Sequence, residues 1–183
     1  MSHISVLLHE TVDALLAERN TGIYVDGTFG RGGHTRLLLS KLDANAKVYG
    51  FDKDPQALET ARQLEQEDSR FEIIHASFAD LKQELAARGV DFVDGVMADL
   101  GVSSPQLDQA ERGFSFMHSG PLDMRMDNSK GPTAAEWLVN IEEEQLANVI
   151  YQYGEERYSR RIAKAIKNAG YIATTGELAE IVK

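Results

Sequence analysis

The chain of 183 residues contains no cysteine, which excludes disulfides and thiolate-held metal. Its five histidines are scattered without the spacing of metal ligands, so no metal site is expected. No apolar run approaches the roughly 20 residues of a membrane span, and no membrane partner is expected. The N-terminus, Met1 to Glu10, lacks the charged region, apolar core and small-residue cleavage site of a secretory leader, so the expected location is the cytoplasm. Basic residues are in deficit: 19 Lys and Arg stand against 29 Asp and Glu, a formal net charge of -10. That weighs mildly against a nucleic-acid partner, because neutralising phosphates takes Lys and Arg, although local charge decides more than the total. What remains has the length of one domain, or of one domain with a helical appendage, and an apolar content ordinary for a globular protein.

The first half alternates strand and helix signals. Val6, Val12, Leu15 and Leu16 suggest a short amphipathic helix. Ile23-Tyr24-Val25 is a β-rich run ending at Asp26, and Gly27 to Gly33 is a loop with four glycines. Leu37, Leu38, Leu39 and Leu42 mark a helix, and Val48 to Phe51 a second strand ending at Asp52. Pro55 suits the first turn of a helix running to about Gln66, with Leu58, Ala61 and Leu64 on one face. Phe71 to Ile74 is a third strand; Leu81, Leu85 and Ala86 mark a helix stopped by Gly89; Phe92 to Ala98 is a fourth strand ending at Asp99. Strands separated by helices imply βαβ units and a parallel sheet with right-handed crossovers.

The second half changes character. From Gly101 to Pro132 no periodicity holds for long, so a long connection without structure of its own is expected, and its embedded aromatics argue against disorder. Thr133 and Glu136 have capping-box spacing before Trp137 and Leu138, and Asn140 and Glu143 repeat it before Leu146, Val149 and Ile150. A third helix is expected from about Glu155 to Asn168 with Gly170 as its stop, and Thr174 with Glu177 opens a fourth. The division expected is an α/β half-domain over residues 1–105 and a loop with helices over 106–183. The last helix has no stop signal and the sheet has only four strands, so the chain is expected to be truncated at its C-terminus.

Chemistry concentrates in Asp26-Gly27-Thr28-Phe29-Gly30-Arg31-Gly32-Gly33-His34, which follows a strand and opens a helix. Glycine there permits positive φ and close approach of a ligand, and the free amides of the helix start favour polar groups. A plain tight turn would look similar. Asp52 ends the next strand twenty residues beyond Gly32, where a carboxylate can accept hydrogen bonds from both ribose hydroxyls of a nucleoside. It could instead cap the following helix, which suits the Lys53-Asp54-Pro55 that follows, and both roles could coexist. Thr35 stands where the dinucleotide fingerprint wants its third glycine, which favours an adenosyl ligand over a nicotinamide one. With Asp99, three acidic strand ends would converge; Mg²⁺ is the less favoured use of them.

The motifs then become specific. Asp26 to His34, the run Asp99 to Asp108, Glu111-Arg112-Gly113-Phe114-Ser115-Phe116, Gly120 to Met126 and Tyr153-Gly154-Glu155-Glu156-Arg157 resemble the signatures of the MraW (RsmH) family. The resemblance runs from about His3 onward. It implies a Rossmann-like class I methyltransferase sheet, incomplete here, with an inserted helical domain. It implies S-adenosyl-L-methionine as cofactor and 16S ribosomal RNA, in the small subunit or its precursor, as partner. The implied reaction methylates the N4 amine of a cytidine in the decoding region. Carried over residue by residue, the family's cofactor contacts fall on Gly32, Gly33, His34, Asp52, Phe78, Asp99 and Gln106. Phe78 could lie against adenine or belong to the core. Members of the family are considerably longer than this chain.

No catalytic base is assigned. Related amino-methyltransferases place an Asp/Asn-Pro-Pro-aromatic turn after the fourth strand; Ser103-Ser104-Pro105 is not that motif. The loop Arg112 to Arg125 could close over a flipped base, Phe114 and Phe116 stacking and the arginines meeting phosphate, or its aromatics could anchor it. Arg157, Arg160, Lys164 and Lys167 fall roughly on one helical face, with Arg161 beside them. An RNA-facing stripe is one use; a solvated face paired with Glu155 and Glu156 is slightly favoured. The alternatives to the family reading are a methyltransferase acting on another amine and a nucleoside-binding module without activity.

Overall fold

The computed structural model describes residues 6–183. The start of the resemblance at His3, and the first five residues of the N-terminal stretch expected to lack a leader, lie outside them. The chain packs as two compact units, Met1–Gly101 and Val102–Lys183.

In the first unit α1 (Leu8–Leu16) precedes four strands, β1 (Ile23–Asp26), β2 (Lys47–Asp52), β3 (Phe71–His75) and β4 (Gly95–Met97). Between them run α2 (Gly33–Lys41), α3 (Pro55–Glu67) and α4 (Leu81–Ala86). All pairings are parallel, in the order β3-β2-β1-β4. The strand pleat sends alternate residues to opposite faces. Tyr24 and Val48 therefore join a core with Val12, Leu38, Ala61 and Leu64, while Val25 and Tyr49 join another with Phe51, Ile74 and Leu85. Both faces are covered, as a parallel sheet requires. The chain moves outward from β1 to β3, then returns to the other side of β1 as β4. That reversal is the switch point beside which open α/β sheets bind ligands.

The fourth strand is shorter than its apolar run suggests, and Phe92 is 87% exposed. Asp94 explains the difference. Its amide donates to Ile23 O (2.7 Å) while its carboxylate accepts from Ile23 N (2.8 Å), so a side chain takes over where the ladder to β1 would continue.

The second unit contains α5 (Ser104–Asp108), α6 (Ala134–Asn140), α7 (Glu143–Gly154), α8 (Ser159–Ala169) and α9 (Thr175–Val182). Its own core gathers Leu122, Ala135, Leu138, Leu146, Ala163, Ile166 and Ile172. The expected capping boxes at Thr133–Glu136 and Thr174–Glu177 both form. Three expectations are corrected. The stretch after Gly101 is not without structure, because Ser103 and Gln106 make a capping box that starts α5. Asn140 does not cap α7; its side-chain amide donates back to Glu136 O (2.8 Å), and the cap position falls to Glu142. The third helix of this half begins at Ser159, because α7 continues through Gly154 and Glu155 turns left-handed (φ 51°) to end it.

Candidate functional site

The glycine loop leaves β1 through Asp26, which is buried. One oxygen of Asp26 accepts from Thr28 N (3.1 Å) and the other from the Thr35 hydroxyl (2.6 Å). Burial pushes this carboxyl up, against those two hydrogen bonds and the nearby His34. Asp26 thus ties the loop to α2, and its burial closes it to a ligand. Gly27 N donates to Met97 O (2.8 Å) and Phe29 N to Phe51 O (2.9 Å), which fasten the loop over the ends of β4 and β2. The Phe29 ring stacks on Phe71 (5.3 Å between centroids). Gly32 has φ 75°, and a Cβ there would lie 2.6 Å from the Phe29 ring, so this turn accepts no side chain.

Asp52, at the end of β2, is held by two amides: Gly30 N donates to Oδ2 (2.7 Å) and Asp54 N to Oδ1 (2.9 Å). A carboxylate has about four lone-pair sites, so each oxygen retains acceptor capacity. The cap of α3 is Asp54, whose side chain accepts from Gln56 N (3.0 Å). The helix-cap alternative for Asp52 is therefore corrected.

His34, in the first turn of α2, is buried, and its Nε2 has no hydrogen-bond partner among the described residues. A buried polar atom left so is costly unless something meets it. Phe78 stands in a 3₁₀ turn, 43% exposed and outside both cores of the unit, so its core alternative is corrected. Its Cβ lies 3.3 Å from where a Cβ on Gly27 would be, at the foot of the glycine loop. Asp99 is exposed just beyond β4, its amide donating to Thr28 Oγ1 (2.6 Å). Glycine loop, Asp52, Phe78 and Asp99 are thus gathered at the carboxyl ends of the strands. Gln106 belongs to the second unit, where it is buried and its side-chain oxygen accepts from Ser103 N (3.0 Å). Among the described residues no three His, Asp or Glu side chains are grouped to hold a metal ion.

Two side chains expected to meet phosphate are otherwise engaged. Arg112 is buried and donates to the carbonyls of Arg125 (3.2 Å) and Met126 (3.0 Å). Arg125 is paired with Asp123 (2.7 Å). The loop is anchored by Arg112 and the buried Leu122, whose amide donates to Ala173 O (2.9 Å), whereas Phe116 is 69% exposed. Sequence reasoning missed Thr28, which joins the loops after β1 and β4; a hydroxyl two residues beyond a strand-end aspartate was the available signal.

The model of the MraW methylase family matches residues 1–183. The chain is 80% identical to the Ribosomal RNA small subunit methyltransferase H of Acinetobacter baylyi, over all of this chain and 60% of that protein. It is 77% identical to the protein of the same name from Acinetobacter baumannii (strain ATCC 17978), with the same coverage, and 57% identical to that of a Psychrobacter species, over 56% of the relative. The chain therefore spans about three fifths of the length of the curated relatives it matches.

Proposed function

The chain belongs to the MraW methylase family, and on that premise we propose that it is the cofactor-binding part of an S-adenosylmethionine-dependent methyltransferase. The substrate of the whole protein is the N4 amine of a cytidine in the decoding region of 16S ribosomal RNA. The relatives' names support the RNA class, and the site's chemistry supports the cofactor. The observation that carries the reading is Asp52: a carboxylate locked by two backbone amides beside a glycine loop, with acceptor capacity to spare.

The residues fit the cofactor. Asp52 would accept from the ribose hydroxyls, as strand-end carboxylates do in nucleoside sites. Phe78, half exposed, would lie against adenine. Gly32 and Gly33 would let the ligand approach the backbone, and the orphaned Nε2 of His34 would meet a polar group of the amino-acid moiety. Asp99 would complete the contacts made from this unit. The bound cofactor supplies an electrophilic methyl group on a sulfonium sulfur. The protein's part is to hold the cytidine in line and to accept hydrogen bonds from its amine as charge develops, because the N4 lone pair is delocalised into the ring. The target base must be unpaired or flipped out to be reached.

The test uses the complete protein with unmodified small ribosomal subunits and methyl-labelled S-adenosylmethionine. Digestion to nucleosides should yield labelled N4-methylcytidine. Label in another nucleoside would overturn the target; label in no nucleoside, with cofactor bound, would overturn the activity.

A further inference from the structure

The second unit carries a groove of about 540 Å³ where the C-terminal half of α7 meets the start of α8. Asn148 and Tyr151 line it from α7; Arg157, Tyr158, Arg160 and Arg161 line it from the connecting turn and the first turn of α8. All six side chains are exposed, so the groove presents three guanidinium groups and two phenol rings to solvent.

These arginines are unlike most others in the chain. Arg19, Arg36, Arg70, Arg88 and Arg125 each pair with a carboxylate. Among the described residues Arg157, Arg160 and Arg161 have no such partner. The acids expected to neutralise them are placed otherwise: Glu156 accepts from Tyr158 N (2.7 Å), and Glu155 occupies the left-handed end of α7. Arg157 and Arg161 instead lie over the Tyr158 ring, 4.6 and 5.8 Å from its centroid, and Arg157 also donates to its hydroxyl (2.8 Å). The ring thus gathers two like charges, neither in an ion pair with a carboxylate among the described residues, within a protein of net charge -10. Lys167, the far end of the expected basic stripe, takes no part, because its ammonium donates to Leu138 O, Val139 O and Ile141 O.

A guanidinium fork matches the geometry of a phosphate, and rings and guanidinium planes accept stacked, unpaired bases. We propose that this groove binds single-stranded RNA. Arg157, Arg160 and Arg161 hold the phosphodiester backbone, and Tyr151 and Tyr158 stack on bases. The inference rests on the RNA substrate of the reading above and gives it a docking surface wholly within the second unit. An acidic protein segment would use the arginines but leave the rings idle.

The test is fluorescence anisotropy of a labelled 12-nucleotide pyrimidine RNA titrated with the complete protein over a range of salt. The triple variant Arg157→Gln, Arg160→Gln, Arg161→Gln should bind at least about ten-fold more weakly and lower the slope of log affinity against log salt by about 2, since each phosphate contact on a single strand contributes roughly 0.7. The triple Arg→Lys variant should restore the slope. The pair Tyr151→Leu, Tyr158→Leu should weaken binding about ten-fold with the slope unchanged, as lost stacking does. S-adenosylhomocysteine affinity should hold in all of them, and kcat should persist while KM for RNA rises. Unchanged RNA affinity in the glutamine variant, or tighter competition by poly-glutamate than by RNA, would overturn the groove's role. If the unaltered protein methylates RNA while the glutamine variant keeps its KM, the groove fails and the function stands. If the unaltered protein transfers no methyl group to RNA, it is the function that fails.

Discussion

At the scale of single residues, the site turns on how each carboxylate is held. Asp26 and Asp52 both end strands and each accepts one hydrogen bond on each oxygen, yet Asp26 is buried against Thr28 and Thr35, while Asp52 is part-exposed, with its remaining lone pairs open to a ligand. Asp52→Ala should weaken S-adenosylhomocysteine binding by roughly 1–3 kcal/mol, the cost of hydroxyls left unpaired. Calorimetric titration of the folded variant measures it, and unchanged affinity would remove Asp52 from the ribose. Asp127 reports on pH. Burial would raise its carboxyl, but the Ser129 hydroxyl and amide and the Lys130 ammonium outweigh it and hold it at about 2. A carboxyl depressed in the folded state stabilises at pH values above its ordinary value of about 4, and that contribution fades as pH falls toward 2. Asp127→Asn should therefore lower the melting temperature at pH 7 and flatten its decline between about pH 4 and 2. Parallel acid limbs for the two proteins would contradict this.

At the scale of elements, local rules explain most boundaries and tertiary demands explain the exceptions. Thr133 and Thr174 start their helices because each has a glutamate three residues on to close the box. Ser103 and Gln106 follow the same rule, which was readable in the sequence but hidden in a stretch of broken periodicity. The end of α6 could not be read that way. Its last carbonyls receive Lys167, 26 to 29 residues away in sequence, at 2.7 to 3.0 Å. This lysine seemed part of a basic face because helical spacing cannot show what a long side chain reaches. Lys167→Met removes a charged donor from three carbonyls and should destabilise the protein by about 1.5–3 kcal/mol. Urea unfolding with an unchanged m-value checks it.

At the scale of the whole molecule, each unit buries its own core. Leu146→Ala, in the core of the second unit, should cost about 2–5 kcal/mol, yet alter S-adenosylhomocysteine affinity less than two-fold while the protein stays folded. A large loss of affinity in the folded variant would mean that the helical unit shapes the cofactor site. What the sequence by itself determined is whatever depends on neighbours along the chain. Strand and helix alternation, the Gly32 turn, the boxes at Thr133 and Thr174 and the strand-end positions of Asp26 and Asp52 all rest on local backbone preference and periodicity. Tertiary structure alone decided which aspartate is buried and which is left open, that Asp54 and not Asp52 caps α3, that Asp94 cuts β4 short, and that Arg112 and Lys167 are structural while, among the described residues, Arg157, Arg160 and Arg161 stand without carboxylate partners. Those outcomes are hydrogen bonds and ion pairs between residues far apart in sequence, and spacing along the chain carries no information about which donor will meet which acceptor.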